Sequence, residues 1–176
     1  MCGIISMRRV FCGVIFSMGE NKMIKAYDKS ATAHLADHIY KNAKMGADSI
    51  ADALKGIKDP EEKEKIKAEL TRQLSEYEDF ATRAEQILTE MNVRSKEEGM
   101  MAKLGAKAGI IMNMMKDSTS SHVAEMMIEG LSMGVTDTTK RVRQAEENGG
   151  DSKVIKLAGE FISFQEKSID IMKKYL

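Results

Sequence analysis

The stretch 59-DPEEKEKIKAELTRQLSEYEDFATRAEQILTEM-91 decides how this chain folds. Asp59 offers a side-chain acceptor to the first free N–H groups, Pro60 is preset for the first helical position, and Glu62 is spaced to bond back to the cap, so a helix begins there. Beyond the cap, Ile66, Leu70, Leu74, Tyr77, Phe80, Ala84, Ile87, Leu88 and Met91 recur three and four residues apart and form one apolar face, with Glu and Lys on the other. About 30 residues of this pattern make a bundle helix roughly 45 Å long.

The same period continues on both sides. Ser30 to Lys55 carries Leu35, Ile39, Ala43, Ile50 and Leu54; the last segment carries Val154, Leu157, Phe161, Phe164, Ile171 and Tyr175. Asn148-Gly149-Gly150-Asp151 ends one helix with glycines that accept positive φ and caps the next, a tight turn between two helices. Ser95-Lys96-Glu97-Glu98 repeats the capping box, but a single helix from Lys96 to Glu147 would run about 75 Å and overhang its partners. A break is expected near Asp117, where Asp117-Ser118-Thr119-Ser120-Ser121 prefers caps and turns. Met101, Leu104, Ala108, Ile111 and Met115 precede it; Val123, Met126, Met127, Leu131, Val135 and Val142 follow. The expected fold is all-α, an up-and-down antiparallel four-helix bundle over 29–176 with its third helix broken near Asp117, preceded by an extension over 1–28.

Composition agrees with one helical domain. The 176 residues suffice for one core, and a single proline with no tryptophan suits long helices. Lys plus Arg and Asp plus Glu both number 27, so no net field draws the chain to nucleic acid or an anionic membrane surface. Cys2 and Cys12 fall outside the helical part, which argues against a disulfide framework or a zinc site of paired cysteines and fits a reducing cytoplasm. Arg8 and Arg9 before the apolar run Val10 to Phe16 resemble a truncated signal sequence, but no small-residue cleavage site follows and the run is too short to span a bilayer. A disordered tail or a mis-assigned, upstream start codon is the expectation for 1–28, with Met18 and Met23 as candidate true starts.

The layout resembles the ferritin-like bundles, in particular an uncharacterised bacterial branch in which a Gly-containing stretch after the second helix leads into a broken third helix. Here that is Glu97-Glu98-Gly99-Met100-Met101-Ala102-Lys103-Leu104, then Ser121-His122-Val123-Ala124-Glu125. The resemblance covers Ser30 to Leu176, rests on layout, and is compatible with a homodimer. Metal-active members take a glutamate from each of two helices and a Glu-x-x-His pair from each of the others. This chain has Ala31 ahead of His34, Leu35 ahead of His38 and Thr119 ahead of His122, so no ferroxidase or oxygenase activity carries over.

A weaker constellation remains. His34 and His38 share a helix face with Asp37 beside them, and His122, Glu125 and Glu129 stack on a face after the break. If the two faces meet, they form a site for a divalent metal such as zinc or iron; otherwise these side chains are structural or solvated. His34-Leu35-Ala36-Asp37-His38 departs from the H-x-x-E-H peptidase motif in its acid and shows no third ligand. Met112, Met114, Met115, Met126, Met127 and Met133 flank the break and suit core filling, a partner-helix groove or cuprous ion. Gly105 with Gly109 and Gly130 with Gly134 call for close backbone approaches, within the bundle or across a dimer. No phosphate loop, nucleophile elbow or basic aromatic patch is present in the sequence. The expectation is a non-catalytic structural or protein-interaction module; the alternative is a divalent-metal-binding bundle for storage, sensing or redox work.

Overall fold

The computed structural model describes residues 28–95 and 119–176. Four helices pack on one another, with no strand among the described residues: α1 Lys29–Gly56, α2 Pro60–Glu90, α3 Ser120–Glu147 and α4 Ser152–Met172, the last tightening into a 3₁₀ turn at Lys173–Tyr175. Each start is capped by the residue before it. Asp28 accepts from the N–H groups of Ser30 and Ala31, Asp59 from Glu61 and Glu62, Thr119 from His122, and Asp151 from Lys153. Asp28, the last residue of the expected extension, thus supplies the cap of α1. Glu62 does not bond back to its own cap; its carboxylate accepts from Lys65 and, at 2.7 Å, from the backbone N–H of Ser120. It caps the start of α3 in place of α2.

Helix ends use left-handed backbone at two positions. Gly149 at φ 71° lets the Gly150 N–H reach Ala145 O at 2.7 Å, and Asn92 at φ 57° lets the Val93 N–H reach Leu88 O at 2.9 Å. Asparagine takes this conformation at lower cost than other side-chain-bearing residues.

The hydrogen bonds at the two ends fix the topology. The Asp28 N–H donates to Gly149 O at 2.8 Å and the Asp151 N–H to Thr32 Oγ1 at 2.9 Å, so α1 starts where α3 ends. Glu62 against Ser120 puts the starts of α2 and α3 together at the opposite end. Helices α1 and α4 thus run one way and α2 and α3 the other, which corrects the expected up-and-down alternation. The sequence period that identified each helix is blind to direction, and the 91–119 connection joins opposite ends of the bundle. Helix α3 does begin just past Asp117; the segment before it, with Met112, Met114, Met115, Gly105 and Gly109, lies outside the described residues, as does 1–27.

The closest pairs are the hairpins α1–α2 and α3–α4. They meet over one core containing Leu35, Ile39, Ile50, Ile66, Leu70, Val123, Leu131, Val154 and Phe161. Between α2 and α4 stand Tyr77, Phe80, Phe161 and Phe164, with Tyr77 edge-on to Phe164 at 4.9 Å and Phe80 edge-on to Phe161 at 5.0 Å. Tyr77 also passes over Gly46 of α1, where an added Cβ would lie 2.5 Å from its ring.

Candidate functional site

The five residues singled out for metal occupy two ends of the bundle. His38 of α1 meets α3: its Nε2 is 3.2 Å from Thr138 Oγ1 and 3.2 Å from Asn42 Nδ2, and its Nδ1 is 3.8 Å from Asp137 Oδ2. His34 is exposed one turn earlier. His122 precedes Thr138 by sixteen residues on the same helix, about 24 Å along its axis. It stands near the start of α3, with Nδ1 3.6 Å from Glu125, while Glu125 and Glu129 face solvent. The two faces do not meet, because a rigid helix holds them apart by far more than the roughly 2 Å reach of a metal–nitrogen bond. Among the described residues no group of three or more His, Cys, Asp or Glu is placed to hold a metal ion.

What His38 forms instead is a polar joint between hairpins. Burial holds its pKa below the ordinary 6.5, and Arg141 and Lys41 add to this against the pull of Asp137 and Asp37. Asp37 is engaged on both sides, accepting from Lys41 Nζ at 2.6 Å and from Ser95 Oγ at 2.5 Å.

A second polar layer, in mid-bundle, went unread in the sequence. Gln73 is 0 % exposed and Gln165 1 %. Gln73 Nε2 donates to Glu69 at 2.8 Å, Gln165 bonds the Tyr77 hydroxyl, and both amide oxygens lack a protein partner among the described residues. Burial raises Glu69 while hydrogen bonds from Arg72 and Gln73 outweigh it and leave its pKa lowered. Arg72 holds Glu69 through two nitrogens, at 2.6 and 2.9 Å, and reaches Ser168 of α4 at 3.4 Å. Gly134 makes room for this layer, since a Cβ there would overlap the Gln165 amide. The available signal was positional: Gln73 sits between Leu70 and Tyr77 on the core stripe, and Ser168 occupies a stripe position after Phe161.

The third feature is an open groove of about 770 Å³ between α2 and α4. Phe80 and Phe164 form its floor; Arg72, Glu76, Lys156 and Lys167 are among its rim residues. Arg83 lies over the Phe80 ring at 5.3 Å and pairs with both Asp79 and Glu160. Of the clustered methionines within the described residues, Met127 is buried, Met126 partly buried, and Met133 is 61 % exposed on α3. No described helix is long and apolar enough to cross a membrane. No protein-family model, curated protein or solved structure matches this chain.

Proposed function

We propose that this chain is a non-catalytic protein-interaction module of the ferritin-like bundle class, engaging its partner through the groove between α2 and α4. The class rests on topology: two antiparallel hairpins whose second and third helices run parallel require one long crossover, the connection that distinguishes ferritin-like bundles from up-and-down ones. The interaction reading rests on the groove. An aromatic floor with a rim of opposite charges suits a helix laid along it, with the floor supplying contact area and the rim selecting orientation. The buried side-chain atoms without a hydrogen-bond partner among the described residues, on Gln73, Gln165 and His122, belong to residues that do not line this groove.

A photo-cross-linking residue at Ser163, on the groove wall, tests the reading in cells. Adducts at Ser163 that are absent from the same probe at exposed Asp48 of α1 support it. Identical, weak labelling at both positions would overturn it.

A further inference from the structure

We propose that the His38 joint is a proton-operated latch: a proton arriving on Nε2 releases the start of α1 from the end of α3 and opens that end of the bundle, while the other end stays closed. The groove between α2 and α4 plays no part in it.

The partners of the ring decide where its proton sits. Asn42 Nδ2 stands 3.2 Å from Nε2 and can only donate, so Nε2 is the acceptor and the proton of the neutral ring belongs on Nδ1. Thr138 Oγ1 of α3, also 3.2 Å from Nε2, shares that lone pair through its own hydrogen. On the other side of the ring, Nδ1 is 3.8 Å from Asp137 Oδ2, too far for a hydrogen bond. Carboxylate, imidazole and hydroxyl thus follow the order of a nucleophile triad, but Thr138 is 0 % exposed and no substrate reaches it.

A second proton, on Nε2, undoes this arrangement. It sets two donors face to face at Asn42, and it places a cation on a side chain only 12 % exposed. The surrounding charges give little relief. Those that bear most on the ring are Asp137 and Arg141 from α3 and Asp37 and Lys41 from α1. Asp37 is already taken by Lys41 and by Ser95, through which the chain after α2 reaches the joint. Asp137 is exposed, so water screens its pull. At the start of α4, Asp151 is engaged in capping its own helix. Burial therefore prevails over the carboxylates and holds the ring below its ordinary 6.5. Opening the joint returns the ring to its ordinary value, so opening takes up a proton and is favoured as pH falls below 6.5.

Position confines the effect to one end. The bonds from Asp28 N–H to Gly149 O and from Asp151 N–H to Thr32 Oγ1 close the end where α1 starts, and Thr32 lies about 9 Å before His38 along α1. The opposite end is closed by Glu62 on the Ser120 N–H, and that carboxylate, held down to about 2, stays charged at about pH 5.

Hydrogen exchange on the full chain at about pH 7.5 and about pH 5, corrected for intrinsic rates, tests the latch. Protection of the Asp28 and Asp151 amides is expected to fall several-fold at the lower pH, by at most about thirtyfold, the gain available to a ring of ordinary pKa. Ser120 is expected to keep its protection. His38→Gln, which cannot take up the proton, is expected to hold both amides equally at the two pH values. Asn42→Asp, which offers the protonated ring an acceptor, is expected to hold them at the lower pH, and His122→Ala to behave as wild type. Equal protection of the wild type at both pH values would overturn the proposal, as would loss at both ends, loss that survives in His38→Gln, or loss that vanishes in His122→Ala. Circular dichroism checks that each variant folds; where His38→Gln does not, Asn42→Asp decides, and undiminished loss there would overturn the latch.

Discussion

Gly46→Ala and Gly159→Ala are the same chemical change in the middle of two helices, and the structure assigns them opposite signs. Each replaces glycine by the best helix former, worth about 1 kcal/mol of stability where nothing else changes. At Gly159 nothing opposes the gain, because the added Cβ meets open space. At Gly46 the Cβ would lie 2.5 Å from Cε1 and Cζ of Tyr77 and 2.8 Å from Cδ1. That ring is 4 % exposed and held edge-on by Phe161 and Phe164, with centroids at 5.9 and 4.9 Å, so it cannot swing aside without disturbing both. Overpacking of this kind costs about 1–3 kcal/mol. The net expectation is a gain of about 1 kcal/mol for Gly159→Ala, and for Gly46→Ala a result between neutrality and a loss of about 2 kcal/mol. Urea unfolding followed by helical circular dichroism in dilute protein measures both; for a chain of this size 1 kcal/mol moves the melting temperature by about 2–4 °C. Equal stabilisation by the two substitutions would refute the placement of Tyr77 against α1, and with it the register of the first hairpin.

Four further outcomes are expected. The lowered pKa of His38 predicts a titration midpoint below 6.5 by NMR; the unfolded chain then takes up the proton first, so stability present above pH 6.5 falls as pH drops through the folded value, and His38→Asn flattens that slope. Tyr77 is pushed up to about 12 by burial, so its contribution is whole below pH 10 and disappears as pH rises towards 12; Tyr77→Phe is expected to resist alkaline unfolding better than wild type. Glu62 is held down to about 2 by hydrogen bonds from Lys65 and from Ser120, so its contribution is present above pH 4.5 and lost on acidification towards pH 2; hydrogen exchange at the start of α3 should quicken in Glu62→Gln and leave the end of α3 unchanged. Elemental analysis of chelator-free protein and of its His122→Ala variant should give the same metal content, since His122 lies about 24 Å along α3 from the level of His38; stoichiometric metal that vanishes in the variant would contradict this placement.

Some of this was readable from residues alone because it depends on local chemistry. Asp59-Pro60 and Asn148-Gly149-Gly150-Asp151 mark helix boundaries by satisfying backbone groups within a few residues, and the structure places α2 and α4 accordingly. The stripe from Ile66 to Leu88 was legible for the same reason, except that Leu74 and Ile87 are only half buried and Gln73 and Ala81 take core positions. A polarity pattern discards a glutamine from the core, although Gln73 can enter it because Glu69 one turn earlier accepts its amide hydrogen.

What the pattern could not carry was which helix faces which. Glu62 read as a partner for its own cap because that partner is three residues away, yet it bonds Ser120, 58 positions later. The histidines likewise read as one constellation because each pair of faces is internally coherent; whether two faces meet depends on chain direction. Once α2 and α3 are parallel, α1 runs antiparallel to α3, and residues near the start of α1 can only oppose residues near the end of α3. His38 therefore meets Thr138 and not His122.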